Sequence, residues 1–428
     1  MSEKLKILII GGGGREHAIG WKVAQSPRAG KIYFAPGNAG TVQVGENVDI
    51  KATDTVGLLN FARRERIDLT LAIPDDPLAL GIVDLFQKNG LRIFGPTKDA
   101  AQLESSKSFA KNFMKRHNLP TAKFEIFTDY QSAKKYLHTQ KLPIVIKASG
   151  LALGKGVVIC KTLKEAEEAL ENCFVKKIFG DAGKEVVIEE FLEGREISIH
   201  VFSDGEHYSI FPPSQDHKRI GEGNTGPNTG GMGTIAPLSV DMTRIEKEII
   251  APTFAALQKE GIEYKGVLYP GLILTKDGPK ILEFNARFGD PETQIYMRLL
   301  KTDLLDIVDA CIDGTLDKVK IEWKKEFACT IVLASGGYPG EYEKGKVITV
   351  PTEGRGSTIA EAIGRGEGVV IFHAGTIIRD GKLLTNGGRV LGVSSLGKSL
   401  EESLGKAYGA IEKISFEGMY YRKDIGKY

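Results

Sequence analysis

The chain has 428 residues, 42% of them hydrophobic and 26% charged, which is typical of a globular protein with about three domains. Lysine and arginine (57 residues) nearly balance aspartate and glutamate (55), so the formal net charge is only +2. This balance gives no reason to expect nucleic acid or an anionic membrane as a partner, and any basic site must be local.

The cysteines and the apolar runs bear on the compartment. No CxxC spacing occurs and three of the four cysteines lie in apolar runs, which predicts buried free thiols and a reducing cytoplasm. They are Cys160, Cys173, Cys311 and Cys329. The apolar run at residues 7–10 is too short for a signal peptide or a membrane span, and no other run approaches spanning length.

The chain opens with a strand, a glycine turn and a helix. Residues 7–10 predict a buried parallel strand, four glycines follow at 11–14, and residues 18–24 predict a helix. The dinucleotide fingerprint GxGxxG fails because Glu16 and His17 stand where the third glycine belongs. Backbone N–H groups at the helix start still favour a single phosphate. A tight turn without a ligand is the alternative.

Residues 68–73 and 91–95 predict further strands separated by helical stretches. We therefore expect a small doubly wound parallel sheet in an N-terminal domain of residues 1–100. Beyond it, Ser106 is a predicted N-cap for a helix that ends before Pro120.

A glycine-rich turn at residues 149–156 carries lysines at both ends, Lys147 and Lys155. Its flanks are apolar or β-branched and predict two strands. Glycines let the backbone approach a polyanion closely, although an ordinary hairpin turn is the alternative. The turn is not a Walker A loop, because only three residues separate Gly150 from Gly154. We expect residues 122–192 to form a lid within a domain of residues 101–325.

A strand at residues 280–284 places Glu283 and Asn285 on one face, because side chains alternate along a strand. A carboxylate and an amide oxygen are hard ligands that suit magnesium. Directly afterwards, Asp290 predicts an N-cap, with Pro291 at the first helical position and Glu292 in the first turn.

Residues 214–233 are rich in turn residues, which predicts a long functional loop without regular secondary structure. His217 within it is expected to be a hydrogen-bonding residue, since no second histidine or cysteine stands at metal-ligand spacing. Residues 326–428 predict a C-terminal domain that closes over the substrate side, with strands near 347–350 and 369–376.

Distinctive motifs recur in order along the whole chain. They are GGGGREHAIG (11–20), APGNAGT (35–41), the lysine-bearing turn, EEFLEG (189–194), QDHKR (215–219) with NTGGMG (228–233), EFNARFGDPETQ (283–294), NGGRVLGV (386–393) and YRKDIG (421–426). On these motifs the chain resembles the ATP-grasp ligases, and specifically the glycinamide ribonucleotide synthetase family. RFGDPE together with QDHKR distinguishes that family from other ATP-grasp enzymes.

The resemblance implies an α/β and α+β multidomain fold: an N-terminal doubly wound parallel sheet, an ATP-grasp core with a mobile lid, and a small C-terminal α/β domain. It also implies that ATP drives the joining of glycine to 5-phosphoribosylamine in de novo purine biosynthesis, through an acyl phosphate of glycine. The metal would be Mg²⁺ or Mn²⁺. We expect small-molecule substrates, no nucleic acid or membrane partner, and a monomer or weak homodimer in the cytoplasm.

The resemblance also assigns site residues by matching position. The ATP-binding set is Lys107, Lys147, Gly154, Lys155, Gly156, Glu189, Glu190, Phe191, Leu192 and Glu196. The metal ligands are Glu283 and Asn285. The catalytic set is Arg287, Asp290, Glu292, Asp216 and Lys218. The substrate-binding set is Gly13, Gly14, Arg15, Asn38, Asp75, Gly387, Gly388 and Arg389.

Four positions depart from the family pattern. Ile73 and Asp75 replace a glycine and a glutamate, Ser149 replaces an aspartate, and Arg195 replaces a glutamate. These changes leave open an ATP-grasp ligase for a different amino acid or amine. A nucleotide-binding regulator without turnover is a third hypothesis, which the presence of Lys147, Glu283 and Asn285 disfavours.

Overall fold

The computed structural model describes residues 4–152, 156–350 and 368–427. The N-terminal part is a five-stranded parallel sheet in the order β3-β2-β1-β4-β5. Its strands are β1 (Leu5–Gly11), β2 (Ala29–Pro36), β3 (Glu46–Asn47), β4 (Leu69–Ala72) and β5 (Ile93–Phe94), and its helices are α1 (Gly14–Val23), α2 (Thr55–Glu65), α3 (Asp75–Ala79) and α4 (Ile82–Lys88). The doubly wound sheet is confirmed. Its strand order reverses between β1 and β4, where ligands of such sheets bind.

Two short helices lead into the next sheet, α5 (Gln102–Ser105) and α6 (Lys107–Arg116). The predicted cap is confirmed, because the Ser106 hydroxyl accepts a hydrogen bond from the Phe109 N–H at 3.2 Å. The following segment comprises β6 (Phe124–Phe127), α7 (Tyr130–Leu137), β7 (Ile144–Ala148), β8 (Val157–Cys160), α8 (Leu163–Phe174) and β9 (Val186–Glu190). These strands form an antiparallel sheet, β6-β9-β7-β8, with its own apolar core under α7 and α8.

A second antiparallel sheet forms the centre of the molecule, in the order β10-β17-β11-β12, with β18 paired to β17. Its strands are β10 (Arg195–Ser198), β11 (Val201–Asp204), β12 (Tyr208–Ile210), β17 (Lys265–Thr275) and β18 (Gly278–Asn285). Four further strands lie between β12 and β17 in the chain and belong to other sheets: β13 (Gln215–Asp216), β14 (Arg219–Gly221), β15 (Thr225–Asn228) and β16 (Gly233–Ala236). The helices are α9 (Met242–Ile245), which continues through a π turn into α10 (Ala251–Lys259), then α11 (Glu292–Leu299) and α12 (Leu304–Asp313).

The expectation that residues 214–233 lack regular structure is wrong. Strand β13 pairs with β16, and β14 pairs with β15 in a small hairpin. The hairpin is held by backbone hydrogen bonds and needs no apolar alternation, because little of it is buried. Turn-rich composition therefore concealed strands whose pairing does not depend on side chains.

The C-terminal part contains β19 (Phe327–Ala334), β20 (Val369–His373), β21 (Thr376–Arg379), β22 (Lys382–Thr385), β23 (Arg389–Gly397) and α13 (Leu400–Ile411). Its sheet runs β13-β16-β19-β23-β20, so it includes two strands from the middle of the chain. The strand predicted at 347–350 is wrong, because only single bridges form there, Val347 with Leu384 and Thr349 with Ser415. The strand predicted at 369–376 ends at His373, and β21 begins at Thr376.

The predicted cysteine state is confirmed, since all four cysteines are buried and free. None of the helices in the described ranges combines the length and apolarity needed to cross a bilayer.

Several histidines are buried without charge. The backbone N–H of His373 donates a hydrogen bond to Nδ1 of His17 at 2.9 Å and thereby joins β20 to α1. The Nδ1 atom of His17 therefore carries no proton. Burial lowers the pKa of His200 and of His373 to about 3, and that of His217 to about 4. It also lowers the pKa of His17, and nearby His373 adds to that shift. Folding therefore requires these rings to be neutral.

We expect the protein to lose stability below about pH 6.5, because the unfolded chain takes up protons there while these buried rings remain neutral in the fold. Each buried neutral ring then lowers the free energy of unfolding at about pH 5 by about 2 kcal/mol relative to its value at about pH 8. The midpoint of thermal unfolding, measured from about pH 8 to about pH 5, should fall less for His373→Gln than for the wild type. The exposed His138→Gln is the control and should follow the wild type. Equal slopes for His373→Gln and wild type would contradict this account.

Candidate functional site

A cavity of about 520 Å³ lies where the sheets meet. Arg15 and Asp75 reach it from the N-terminal sheet, Lys147 and Glu189 from the segment with its own core, and Arg389 from the C-terminal sheet. A cavity of this volume suits a ligand the size of a nucleotide. Each part of the chain thus contributes charged side chains to one space.

Lysines surround one buried carboxylate at one end of the cavity. Glu189 on β9 pairs with Lys147 on β7 and, at 2.5 Å, with Lys111 on α6. Burial lowers the pKa of Lys111 to about 8, whereas for Lys147 the carboxylates of Glu189 and Glu283 outweigh burial and raise the pKa. Lys107, one helical turn before Lys111, also lines this end. Three lysines against the carboxylates of Glu189 and Glu283 leave local positive charge for an anion.

A β-bulge positions Lys147. Gly271 pairs with Glu283 and Leu272 with Ile281, so Leu282 is an extra residue on β18. The Leu282 carbonyl, freed from the ladder, accepts a hydrogen bond from Lys147 Nζ at 3.1 Å. The bulge therefore connects the lysine end of the cavity with the strand that carries Glu283 and Asn285.

The glycine-rich turn between β7 and β8 is the predicted hairpin, with Lys147 opposite Val157. Gly156 packs so closely that an added Cβ would lie 2.8 Å from Cβ of Ala152. Gly154 and Lys155 lie outside the described residues. Ser149 fixes the turn to α6, because its hydroxyl accepts the Ser108 N–H at 3.0 Å.

The end of β9 and the segment that leads into β10 form a wall with both apolar and acidic residues. Glu190, Phe191, Leu192 and Glu196 all line the cavity, and Phe191 is 36% exposed. An exposed aromatic ring and a leucine beside a charged cavity suit the face of a heterocyclic base.

The predicted metal ligands lie together at the end of β18. Glu283 and Asn285 both line the cavity. Asn285 Nδ2 donates to the Tyr269 carbonyl at 3.3 Å, and Asn285 Oδ1 accepts one hydrogen bond from Arg287 Nη2 at 3.1 Å, which leaves its second lone pair for a cation. Burial favours the neutral form of Glu283, but Lys147, Lys218 and other cations outweigh it and lower its pKa. An ionised carboxylate beside an amide oxygen is a donor set that fits magnesium or manganese, with the remaining ligands from a substrate and water.

A group of carboxylates and cations forms the other end of the cavity. Lys218 Nζ contacts Asp216 at 3.1 Å, and burial raises the pKa of Asp216 to about 7 although Lys218 opposes the shift. Glu292 accepts the Ser198 hydroxyl at 2.9 Å; burial would raise the pKa of Glu292, but the charge of Lys218 and the Ser198 hydrogen bond lower it. The two carboxylates are thereby driven toward different protonation states.

Asp290 does not cap α11 as predicted, because Pro291 is the N-cap residue and no side chain caps the helix. The Asp290 carboxylate instead accepts from Arg389 Nη2 at 2.9 Å and from Gln294 Nε2 at 2.8 Å. Arg389 also donates to the carbonyls of Gly230 and Asp290, both at 2.7 Å. Arg389 thus binds the carboxylate that was predicted to cap α11. Through this ion pair, Asp290 joins the start of β23 to the cavity wall.

The glycine turn after β1 is already occupied by protein groups. The Gly13 N–H donates to Glu16 at 2.6 Å, and Arg15 pairs with the same carboxylate at 2.7 Å. Asn38 Nδ2 donates to the carbonyls of Gly12 at 2.9 Å and His373 at 2.8 Å. A phosphate would therefore have to displace Glu16 from the Gly13 N–H in this conformation.

The remaining predicted substrate glycines pack against other chain segments. An added Cβ on Gly14 would lie 2.7 Å from Gln294 Nε2, and one on Gly387 would lie 2.9 Å from Cα of Gly375. Gly388 packs on the ring of Tyr338, whose hydroxyl accepts the Gly230 N–H at 3.0 Å. These glycines permit close approach of chain segments beside the cavity.

Sequence reasoning missed several cavity residues, namely Glu104, Lys111, Ser198, Tyr269 and Tyr338. Lys111 follows Lys107 by four residues on a predicted helix, so helical periodicity offered a signal for it. The others come from separate segments, and no local pattern identified them.

Three profiles of one protein family match the chain. They are described as the N domain of phosphoribosylglycinamide synthetase (residues 5–104), its ATP-grasp (A) domain (105–293) and its C domain (328–428).

Individual proteins agree with the profiles. A phosphoribosylamine–glycine ligase of Caldanaerobacter subterraneus is 50% identical over 425 residues, covering 98% of this chain and 99% of that protein. The crystal structure of the Thermotoga maritima phosphoribosylamine–glycine ligase superposes with a TM-score of 0.85 at 37% identity, covering 98% of this chain and 100% of the other. The biotin carboxylase domain of a Hydrogenobacter thermophilus 2-oxoglutarate carboxylase, solved with MgADP, has a TM-score of 0.75 at 16% identity, covering 98% and 92%, and shares the fold.

We expect Lys147→Met to weaken binding of ATP by about 10- to 100-fold, because a buried charge-assisted hydrogen bond contributes about 1.5–3 kcal/mol. Isothermal titration calorimetry with ATP and without glycine measures this. Lys184→Met, at a lysine with a 72% exposed side chain, is the control and should bind as the wild type does. Unchanged affinity in Lys147→Met would show that the lysine does not contact the nucleotide.

Proposed function

The chain belongs to the phosphoribosylglycinamide synthetase family, and we propose that it joins glycine to 5-phosphoribosylamine at the expense of ATP. The products are glycinamide ribonucleotide, ADP and phosphate, in de novo purine biosynthesis. The observation that carries the proposal is one cavity with the Lys147–Glu189–Lys111 cluster at one end and the Asp216–Lys218–Glu292 group at the other, with Glu283 and Asn285 also in its wall.

The first step activates glycine. A carboxylate is a poor electrophile, so one of its oxygens attacks the γ-phosphorus of ATP, the bond to the bridging oxygen breaks, and ADP leaves. Lys107 and Lys147 hold the phosphates, and Phe191 and Leu192 take the base. Glu283 and Asn285 would hold a divalent cation, and that cation would supply neutralisation of the phosphate charge.

The second step forms the amide. The amine nitrogen attacks the carbonyl carbon of glycyl phosphate, the bond from that carbon to the phosphate oxygen breaks, and inorganic phosphate leaves. The amine must also lose a proton. Asp216 is suited to take it, because burial raises its pKa to about 7 and Lys218 at 3.1 Å stabilises the ionised form that accepts the proton.

Glycyl phosphate would hydrolyse in water, so the cavity must close during turnover. We assign this role to a lid at residues 122–192, which is supported by the separate apolar core under α7 and α8. We propose domain boundaries near residues 100 and 325. Strands β13 and β16 pair into the C-terminal sheet, so the two domains on either side of the boundary near residue 325 share one sheet.

The positions that depart from the family pattern bear on substrate identity. Asp75 lines the cavity. Ile73 is a core residue, Ser149 bonds to Ser108, and Arg195 donates to the Gln215 side chain at 2.7 Å. Three of the four changes are therefore accommodated by protein contacts, which favours the family's own substrates over a different amine.

The finer assignments are also proposals. We propose Mg²⁺ or Mn²⁺ as the metal, since both accept carboxylate, amide and phosphate oxygens. We propose a cytoplasmic location, which is supported by four buried free thiols. We also propose that the protein is a monomer or a weak homodimer.

We expect ADP release to require both glycine and 5-phosphoribosylamine, because each is consumed with ATP. A coupled assay for ADP, with each substrate omitted in turn and with other amino acids in place of glycine, measures this. Comparable ADP release without the two substrates would contradict the proposal. Turnover with another amino acid but not with glycine would instead identify a different ligase.

We expect Glu283→Ala to abolish ligation and leave the fold intact, because it removes the carboxylate of the metal site without removing a core side chain. Activity and the thermal unfolding midpoint are the two measurements. Glu263→Ala, at a glutamate with a 66% exposed side chain, is the matched control and should remain active. A fully active Glu283→Ala enzyme would refute the metal assignment.

A further inference from the structure

Glu104 is a buried carboxylate that the proposed mechanism does not use. Its Oε1 pairs with Arg287 Nη2 at 2.8 Å, and its Oε2 accepts the Ala286 N–H at 2.7 Å. The Glu104 side chain is 10% exposed and that of Arg287 is 18% exposed. Both carboxylate oxygens are thus committed to Ala286 and Arg287, the two residues that follow Asn285.

These contacts reach the proposed metal site through Arg287. The same Nη2 that pairs with Glu104 also donates to Asn285 Oδ1 at 3.1 Å, and Nη1 donates to the Phe288 carbonyl at 3.1 Å. One N–H of Nη2 therefore points at Glu104 and the other at the metal-side oxygen of Asn285. Glu104 fixes the direction in which Arg287 presents that hydrogen bond.

Glu104 also neutralises Arg287. A guanidinium without a partner beside Asn285 would repel a divalent cation, and it would be free to turn fully onto the amide oxygen that the cation needs. With Glu104 present, the positive charge is balanced on the side away from Asn285 Oδ1.

The position of Glu104 in the chain adds a connection. It lies in α5, two residues before the Ser106 cap of α6, and α6 begins with Lys107 in the cavity wall. Helix α5 packs against β18. The segment that carries a phosphate-binding lysine is thereby attached to the end of the strand that carries the metal ligands.

We propose that Glu104 is a positioning residue for the metal site: through Arg287 and the Ala286 N–H it holds Asn285 in the orientation that accepts a divalent cation. The inference rests on the proposed function for the identity of the nucleotide and for the metal site at Glu283 and Asn285. It predicts a defect in cation binding that is separate from nucleotide binding and from folding.

The test is Mn²⁺ titration into the full chain saturated with ADP, with free Mn²⁺ followed by electron paramagnetic resonance. We expect Glu104→Gln to raise the Mn²⁺ dissociation constant at least fivefold, and Glu104→Asp to raise it less because the charge remains. Metal-free ADP affinity should stay within about twofold of wild type. Asp99→Asn, an exposed change on the same segment, is the control and should leave both constants unchanged.

Two results would overturn the inference: an unchanged Mn²⁺ constant in Glu104→Gln, or an equal loss of metal-free ADP affinity, which would make Glu104 merely structural. If Glu104→Gln does not fold, Glu104→Asp decides the question by the same two constants, with an increase in the Mn²⁺ constant alone as the supporting result. Failure of the proposed function would appear in the wild type, as ADP release that ignores the two substrates. Failure of this inference would appear only in the variants.

Discussion

The pairing of Glu189 with Lys147 and Lys111 is the interaction on which the site depends. Charges removed from water must be compensated, and breaking a buried ion pair costs about 3–5 kcal/mol. One carboxylate shared by two lysines satisfies the resting protein and leaves positive charge for phosphates. The bulge at Leu282 follows from the same need, because its freed carbonyl accepts another proton of Lys147.

The rest of the fold brings opposite charges to this cluster from distant parts of the chain. Strand β18 supplies Glu283 and Asn285, β13 supplies Asp216, and the first residue of β23 is Arg389. Strands β13 and β16 belong to the C-terminal sheet, so the carboxylate end of the cavity is built across the join between two parts. The site is complete only when these parts are docked, which explains why the motifs that resemble the family are spread over the full length.

Local patterns predicted the parts of the fold that local physics controls. The strand, glycine turn and helix at the N-terminus, the Ser106 cap and the strands around Lys147 all follow from apolar runs and cap residues. The predictions that residues 214–233 lack strands and that Asp290 caps a helix are wrong, because backbone pairing decides the first and a partner 99 residues away the second. Glu104 was missed for the same reason, since its significance comes from Arg287 across the fold.

The central claim is that this cavity phosphorylates the carboxylate of glycine before the amine attacks. The most direct measurement uses glycine labelled with ¹⁸O in its carboxylate, with 5-phosphoribosylamine and unlabelled ATP, and mass analysis of the phosphate released. Because the oxygen that attacks the γ-phosphorus leaves with it, we predict one ¹⁸O atom in each phosphate formed from fully labelled glycine. Unlabelled phosphate in a reaction that makes glycinamide ribonucleotide would contradict the account.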